Sequence, residues 1–230
     1  YCTGSQLHNV KMREHAQRLG LSLNEYAITD THKGTAQQFD NEAAVYARLG
    51  LAYVTPELRE DRSEVEQAMS LGPGRSVAPD LIQLSDMRGD LQMHTTWSDG
   101  ETDVMGMARA AIALGLEYIL ITDHTAGLGM VNGLTPERIA QQAKEVAKVN
   151  AQLKKEKLKF TVLHGAEVEV KSDGALDLPD DVLAGLDLVQ ASVHTSLTQP
   201  RAKLTARAIA AISNPHIDIL GHPSGRLINE

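Results

Sequence analysis

The stretch DLQMHTTWSDG (Asp90 to Gly100) decides the fold class, because it places a histidine and a carboxylate, His94 and Asp99, just after a predicted strand. Four later stretches repeat the pattern of an apolar run that ends near a histidine or a carboxylate: LITDHT (Leu120 to Thr125), HGAEVEV (His164 to Val170), ASVHTS (Ala191 to Ser196) and ILGHPSGR (Ile219 to Arg226). Enzymes built from repeated strand-and-helix units carry their reactive side chains on the loops that follow the strands. The five stretches therefore predict a parallel α/β fold with one shared site.

The segments between these stretches have the composition of helices, so strand and helix alternate along this part of the chain. Helices are predicted at 103–114, 135–153, 180–184 and 202–212, and strands at 117–122, 160–167, 187–193 and 217–220. Short, continuously apolar strands are typical of a parallel sheet that is buried on both faces. About five strands are predicted from Leu91 onward, fewer than the roughly eight of a closed barrel. C-terminal strands are therefore expected to be missing.

A change of composition near residue 70 divides the chain. The stretch SLGPGRSVAPD (Ser70 to Asp80) contains two glycines and two prolines and is typical of a linker. We therefore predict one domain at 1–69, a linker at 70–85 and a second domain at 86–230. Within the first domain, helices are predicted at 9–19, 41–49 and 61–69, and one strand at 21–28. The chain begins at Tyr1 and not at Met, so we expect it to be part of a longer protein.

Composition excludes several classes of protein. With 230 residues, 42% of them hydrophobic and 23% charged, the chain is expected to be soluble and globular. No apolar run approaches the roughly 20 residues of a membrane helix, and no signal peptide is visible, so a cytoplasmic location is expected. The single Cys2 excludes an internal disulfide. A net charge of −8 argues against non-specific nucleic-acid binding, but bound cations would make a site locally positive.

Six ionisable residues lie close to the C-terminal ends of predicted strands, where a packing role would normally fall to an aliphatic side chain. They are His94, Asp99, His124, Glu167, His194 and His222. Ionisable groups that converge in a protein interior are costly unless they are paired or coordinated, so the set predicts several divalent cations. Imidazole and carboxylate ligands without cysteine favour Mn²⁺, Zn²⁺ or Fe²⁺ and disfavour a structural zinc site.

The sequence gives no strong functional signal for the remaining histidines and basic residues. His8, His15, His32 and His216 are predicted to be surface or satisfied core residues, and His164 stays ambiguous. Two basic clusters are predicted to be solvated helix faces: Lys154, Lys155, Lys157 and Lys159, and Arg201, Lys203 and Arg207. Arg226 either holds a substrate phosphate or faces solvent. Two metals held close together would suit phosphate-ester cleavage without a protein nucleophile, and no Walker loop or GxGxxG competes with this interpretation.

The motifs SDG, TDH, Gly-x-Glu, SVH and GHP, in this order, resemble those of the polymerase-and-histidinol-phosphatase (PHP) domain over residues 89–226, about 60% of the chain. The resemblance implies a distorted (β/α) barrel, and it implies that the six residues above bind several metal ions, commonly manganese or zinc. Two departures are evident. Gln92 stands where the family has its first histidine, so one metal position is weakened. The closing Asp-x-His motif of the family has no counterpart before Glu230.

The segment YCTGSQLHNVKMREHAQRLGLSLNEYAI (Tyr1 to Ile28) resembles the end of a family X, polymerase-β-like DNA polymerase. The segment 52–68 also resembles the stretch that precedes the PHP domain in bacterial polymerases of this family. The resemblance implies a small α+β remnant of a nucleotidyl-transferase domain. It further implies that certain residues contact the incoming nucleotide or the template: Tyr1, Gly4, Asn9 and Arg13. Cys2 departs from the usual phenylalanine of the family.

Together the two resemblances predict the C-terminal portion of a bacterial family X DNA polymerase. They imply a metal-dependent 3′–5′ exonuclease or phosphoesterase that acts on DNA ends. They also imply gap-filling synthesis by the intact protein from deoxynucleotides, at a Mg²⁺ or Mn²⁺ site whose ligands are not in this chain. A monomer without a membrane partner is expected. One alternative is a small-molecule phosphatase that resembles histidinol phosphatase. The polymerase-like segment Tyr1 to Ile28 argues against this alternative. The other is a metal-depleted PHP scaffold, against which the six ligand-type residues argue.

Overall fold

The N-terminal helix α1 (Gln6–Arg18) begins where the Ser5 hydroxyl accepts a hydrogen bond from the backbone N–H of His8 at 3.1 Å. The structure is a computed structural model that describes residues 3–78 and 80–224. The chain forms two compact units, which are divided between Gln83 and Leu84. The buried residues of α1 are His8, Met12, His15 and Ala16. Val10 and Leu19, two apolar residues within the predicted helix at 9–19, are exposed, because two imidazoles with hydrogen-bond partners, those of His8 and His15, occupy the inward face.

The sequence prediction of one strand over residues 21–28 is wrong, because the chain turns at Asn24. The Asn24 side-chain oxygen accepts hydrogen bonds from the backbone N–H groups of Tyr26 and Ala27, each at 2.9 Å. This turn separates β1 (Leu21–Leu23) from β2 (Ile28–Asp30), which pair antiparallel, and β3 (Ala36–Gln37) adds to the edge of β2. The result is a small antiparallel sheet against α1.

Two further helices, α2 (Glu42–Arg48) and α3 (Glu64–Leu71), complete the core of the first unit. A short 3₁₀ segment (Pro56–Leu58) lies between them. The residues that pack here include Met12, Tyr46, Leu49, Leu51, Val54 and Val65. Residues in the middle of the predicted linker also pack on this core, since Tyr53 forms a bridge with Ser76 and Val77 contacts the cluster.

The second unit is a five-stranded parallel sheet whose strands follow one another in chain order. The strands are β4 (Gly89–Asp90), β5 (Tyr118–Ile121), β6 (Thr161–Glu169), β7 (Leu188–Ser192) and β8 (Ile219–Leu220). The long β6 pairs with β5 through His164 and with β7 from Gly165 onward. The sheet is curled, and the predicted fold class is confirmed: α/β, with a distorted and incomplete (β/α) barrel that follows a small α+β unit along the chain.

Helices follow the strands of this sheet as the alternation predicted. They are α4 (Val104–Ala113), α5 (Pro136–Lys155), α6 (Asp180–Leu183) and α7 (Arg201–Ile212), with a 3₁₀ segment (Leu84–Asp86) before β4. The helix α5 begins where the Thr135 hydroxyl accepts a hydrogen bond from the backbone of Arg138. Apolar side chains of β5, β6 and β7 fill the core, among them Ile119, Ile121, Val162, Val168 and Val189. No helix among the described residues has the length and hydrophobicity that a membrane span requires.

Candidate metal centre

The ends of the five parallel strands bring histidines and carboxylates to one edge of the sheet. His94 follows β4, His124 follows β5, His194 follows β7 and His222 follows β8, while Glu167 lies near the end of β6. Because the strands are parallel and adjacent, these side chains start from the same edge and reach one another.

The carboxylate of Glu167 lies at the centre of this cluster, with its side chain only 1% exposed. Its Oε2 is 3.5 Å from His94 Nε2 and 3.3 Å from His124 Nδ1. Its Oε1 is 3.3 Å from His194 Nε2 and 2.9 Å from His222 Nε2. The rings of His94 and His124 stack with centroids 4.3 Å apart. Each carboxylate oxygen of Glu167 thus lies close to a different pair of histidines.

The residues form two groups whose ligand atoms lie within 4.8 Å of one another. One group is His94, His124 and Glu167, and the other is Glu167, His194 and His222. Within the described residues, the buried atoms His94 Nδ1, His124 Nδ1 and Glu167 Oε2 have no hydrogen-bond partner, since the 3.3 Å contact of Glu167 Oε2 lacks hydrogen-bond geometry. Unpaired buried polar atoms are costly, so this donor set fits divalent cations with imidazole and carboxylate ligands.

Asp99 lies at the margin of the first group. Its carboxylate oxygens are 3.9 Å from His94 Nδ1 and 3.7 Å from His124 Nε2, and its side chain is 44% exposed. The Oγ of Ser98, whose proton is donated to Asp123, lies 3.1 Å from Asp99 Oδ1. Asp99 therefore adjoins the first group from the solvent side and belongs to neither of the two close sets.

Gln92, which stands at the position of the expected first histidine, reaches the centre with its amide. Its Nε2 donates a hydrogen bond to Glu167 Oε1 at 3.2 Å. In this arrangement the amide nitrogen, not the oxygen, faces the carboxylate. Gln92 therefore holds Glu167 in place and offers it no charge.

Electrostatics distinguish the members of the cluster. Burial raises the pKa of Glu167, but its hydrogen bond with His194 and the nearby imidazoles outweigh burial and lower the pKa to about 2. Hydrogen bonds to Glu167 and then to Glu169 raise the pKa of His194 to about 9. Burial lowers the pKa of His124. The two carboxylates thus favour the protonated form of His194 when no cation is bound, and a bound cation would displace that proton.

Sequence reasoning missed the buried carboxylate of Asp123, which is fully inaccessible to solvent. Asp123 accepts hydrogen bonds from the backbone N–H and hydroxyl of Thr95 at 2.7 and 2.6 Å, from Ser98 Oγ at 2.6 Å and from Gln142 Nε2 at 2.6 Å. It therefore ties the loop that carries His94 to the end of β5. The signal in the sequence was an acidic residue directly before His124.

A second missed carboxylate is Glu169, which is 2% exposed and bonds to His194. Strand periodicity could have revealed it, because residues two apart on a strand face the same side and Glu167 was already a predicted ligand.

The prediction that Arg207 belongs to a solvated helix face is wrong. Arg207 is 2% exposed, and its guanidinium donates to the carbonyl oxygens of Val170 at 2.6 Å, Lys171 at 3.0 Å and Thr195 at 3.0 Å. It also donates to Gln199 Oε1 at 3.0 Å. These acceptors lie on the loops after β6 and β7, so the composition of α7 alone could not show the burial.

The other histidines lie outside both groups. His164 is 7% exposed and its Nε2 lies 3.1 Å from Gln142 Oε1. His8 is fully buried between Glu64 and Tyr46, His15 contacts the Leu49 carbonyl, and His32 is exposed. Arg226 falls outside the described residues.

The residues expected to contact a nucleotide lie at the start of the first unit. Gly4 has φ +104°, and a Cβ there would lie 2.3 Å from Arg59 Cβ, so the turn before α1 requires glycine. On α1, Asn9 is half-buried and its amide donates to the Ser5 carbonyl at 3.3 Å, while Arg13 is exposed one turn later. Tyr1 falls outside the described residues.

Comparisons with known proteins match both units. Residues 1–60 match the DNA polymerase beta thumb and residues 90–227 match the PHP domain. The chain is 43% identical over 226 residues to the DNA polymerase/3'-5' exonuclease PolX of Bacillus subtilis, which covers 98% of this chain and 38% of that protein. It is 33% identical over 140 residues to a probable phosphatase of Caldanaerobacter subterraneus and 33% over 148 residues to one of a Thermoanaerobacter species. Each of these two matches covers 58% of this chain, and they cover 51% and 53% of the phosphatases.

The chain thus spans well under half the length of the polymerase that it matches and about half the length of these phosphatases. Its PHP match includes the strands that carry the histidine cluster, and its thumb match covers the unit that precedes them. Residues 1–60 are similar to the thumb of DNA polymerase beta, and the chain belongs to the PHP domain family.

Proposed function

We propose that the second unit is a metal-dependent phosphoesterase that removes nucleotides from the 3′ ends of DNA. The observation that carries this proposal is the contact of one buried carboxylate, Glu167, with four histidines in two ligand groups. A carboxylate with one oxygen directed to each group is suited to bridge two ions, and paired ions suit phosphoryl chemistry.

Glu167, His94 and His124 would hold one ion, and Glu167, His194 and His222 the second, with Mn²⁺ or Zn²⁺ as the proposed metal. When bound, such cations lower the pKa of a water molecule and neutralise charge on a phosphoryl group. The protein itself contributes orientation, because Asp123 fixes the loop of His94 and Gln92 fixes Glu167. Asp99, on the solvent side, would contact a water molecule or a further ion.

DNA is the proposed substrate because the thumb match adjoins the PHP match in one chain and because the Bacillus relative is named as a polymerase and 3'-5' exonuclease. The intact protein would also fill gaps with deoxynucleotides, using Mg²⁺ or Mn²⁺ ligands that are not in this chain. Tyr1, Gly4, Asn9 and Arg13 would contact the nucleotide or the template. Arg226 would hold a substrate phosphate.

A second candidate function is hydrolysis of a small phosphomonoester. It is favoured by the relatives that match 58% of this chain, which are described as probable phosphatases. The two functions use the same ligands and differ in the substrate that reaches them. A metal-depleted scaffold is disfavoured, because it would leave the buried polar atoms of the cluster unpaired.

The test uses the intact protein, stripped of metal with a chelator and then supplied with Mn²⁺ or Zn²⁺. A 3′-recessed oligonucleotide and p-nitrophenyl phosphate are the two substrates, and Glu167→Gln is the site variant. The matched control is Glu156→Gln, an exposed glutamate that pairs with Arg109.

We expect metal-dependent shortening of the oligonucleotide that Glu167→Gln abolishes and Glu156→Gln retains. Hydrolysis of p-nitrophenyl phosphate without shortening of the oligonucleotide would favour the second candidate. Shortening that persists in Glu167→Gln would refute the first candidate, and hydrolysis of p-nitrophenyl phosphate that persists in this variant would refute the second, because the activity would then lie outside this centre.

A further inference from the structure

We propose that Glu169 is a positioning residue that fixes His194 as a metal ligand, an inference that rests on the proposed metal centre. Glu169 is 2% exposed, and its Oε2 lies 2.7 Å from His194 Nδ1. The same carboxylate accepts the backbone N–H of His194 at 3.3 Å and the hydroxyl of Thr195 at 2.8 Å. Three donors from one short loop therefore converge on one buried carboxylate.

The contact at Nδ1 determines what the opposite nitrogen can do. Because Glu169 accepts the Nδ1 proton, Nε2 of a neutral imidazole keeps its lone pair free. That Nε2 is the atom 3.3 Å from Glu167 Oε1, in the second ligand group. Glu169 thus selects both the orientation and the tautomer with which His194 can bind a cation.

Strand periodicity explains how β6 supplies both carboxylates. Glu167 and Glu169 are two residues apart on β6 and lie on the same face of the strand, whereas Val168 packs in the core of the opposite face. One carboxylate is directed to the metal positions and the other to the far side of His194. A carboxylate behind a metal-binding imidazole raises the basicity of that ligand and fixes its ring.

This support distinguishes the second group from the first. Among the described residues, His94 Nδ1, on the side of the ring away from Glu167, has no hydrogen-bond partner, and the corresponding Nε2 of His124 lies 3.7 Å from the exposed Asp99. In contrast, His194 Nδ1 is bound to the buried Glu169. The metal position that contains His194 is therefore the better ordered of the two before any cation binds. We expect it to be the position of higher affinity.

Arg207 anchors the same arrangement from the helix α7. Its guanidinium binds the carbonyl oxygens of Val170 and Lys171, which follow Glu169, and of Thr195, which follows His194. The chain segments that carry the carboxylate and the imidazole are thereby fixed to a common group. This anchor leaves little freedom for the pair to separate.

The test measures Mn²⁺ affinity of the intact protein by isothermal titration. In Glu169→Leu the higher-affinity ion should bind about 10- to 100-fold more weakly, the range found for lost partners of metal ligands. Glu169→Gln, whose amide oxygen can still accept from Nδ1, should lose less. Thermal unfolding in chelator shows whether each variant is folded. If Glu169→Leu does not fold, the affinity of Glu169→Gln decides the test.

The matched control is Glu64→Leu, which breaks a similar buried pair in the first unit, where Glu64 Oε1 lies 2.6 Å from His8 Nδ1. It should lower stability and leave Mn²⁺ affinity unchanged. A double-mutant cycle with His194→Ala measures the coupling between Glu169 and His194 in Mn²⁺ affinity. If Glu169 acts through His194, then Glu169→Leu has no further effect on affinity in the His194→Ala background.

The outcomes separate this proposal from the one on which it rests. Wild-type protein that binds neither Mn²⁺ nor Zn²⁺ would refute the metal centre itself. Wild-type binding with unchanged affinity in folded Glu169→Leu and Glu169→Gln would refute only the role of Glu169. If Glu169→Leu lowers Mn²⁺ affinity equally in the wild-type and His194→Ala backgrounds, Glu169 does not act through His194, and this result would also overturn the proposal.

Discussion

Replacement of Arg207 by leucine should destabilise the second unit far more than its place on a charged helix suggests. The side chain is 2% exposed and makes hydrogen bonds of 3.0 Å or less to four acceptors. Each such bond contributes about 1 kcal/mol net. Removal of the desolvated guanidinium offsets part of this loss. We therefore expect Arg207→Leu to lower the free energy of unfolding by about 3 kcal/mol.

The assay is thermal unfolding in the presence of chelator, so that metal binding does not contribute. A loss of about 3 kcal/mol corresponds to a fall in Tm of about 6–12 °C for a unit of this size. The matched control is Arg201→Leu, an exposed arginine at the start of the same helix, which should change stability by no more than about 0.5 kcal/mol. Equal Tm values for the two variants would refute the buried anchor.

Three further predictions concern acid stability and the separation of activities. Hydrogen bonds from Arg59 lower the pKa of Glu42 to about 2, so this carboxylate stabilises the first unit above pH 4.5 and the contribution disappears as the pH falls towards 2. In urea unfolding, Glu42→Gln should therefore have a lower free energy of unfolding than the wild type at pH 7, and the difference should vanish near pH 2. A difference that does not depend on pH would contradict the pairing of Glu42 with Arg59. Replacing His124 or Asp99 by alanine should abolish exonuclease activity of the intact protein and leave gap filling largely unchanged, and equal loss of both activities would show that the sites are coupled. Arg13→Ala should weaken primer extension and its fidelity but spare hydrolysis of 3′ ends, whereas unchanged extension with unchanged misinsertion would argue against a nucleotide contact at α1.

The order of strands and helices in the second unit could be predicted because it depends on local patterns. Short apolar runs that end at histidines or carboxylates lie on the strands that they predicted, and α5 begins at Pro136, one residue after the predicted start. The convergence of His94, His124 and Glu167 follows from parallel strands that share one edge. These features need only residue types and their spacing.

Features that depend on tertiary contacts could not be predicted in the same way. Arg207 has the sequence context of a surface helix, and only the carbonyl groups of two distant loops account for its burial. Asp123 and Glu169 resemble ordinary strand-end acids until their partners are known. In the first unit, the side-chain turn at Asn24 broke a segment whose composition favoured one strand. In each case a hydrogen bond between distant or turn residues outweighs the local preference.

The most direct test of the account is a crystal of the intact protein soaked in Mn²⁺, with anomalous diffraction recorded at the manganese edge. We expect two peaks on either side of Glu167, one within ligand distance of His94 and His124 and the other within ligand distance of His194 and His222. The second peak should have the higher occupancy at limiting Mn²⁺, because Glu169 orients His194 before the ion binds. Manganese bound elsewhere, with no peak in contact with Glu167, would contradict the account.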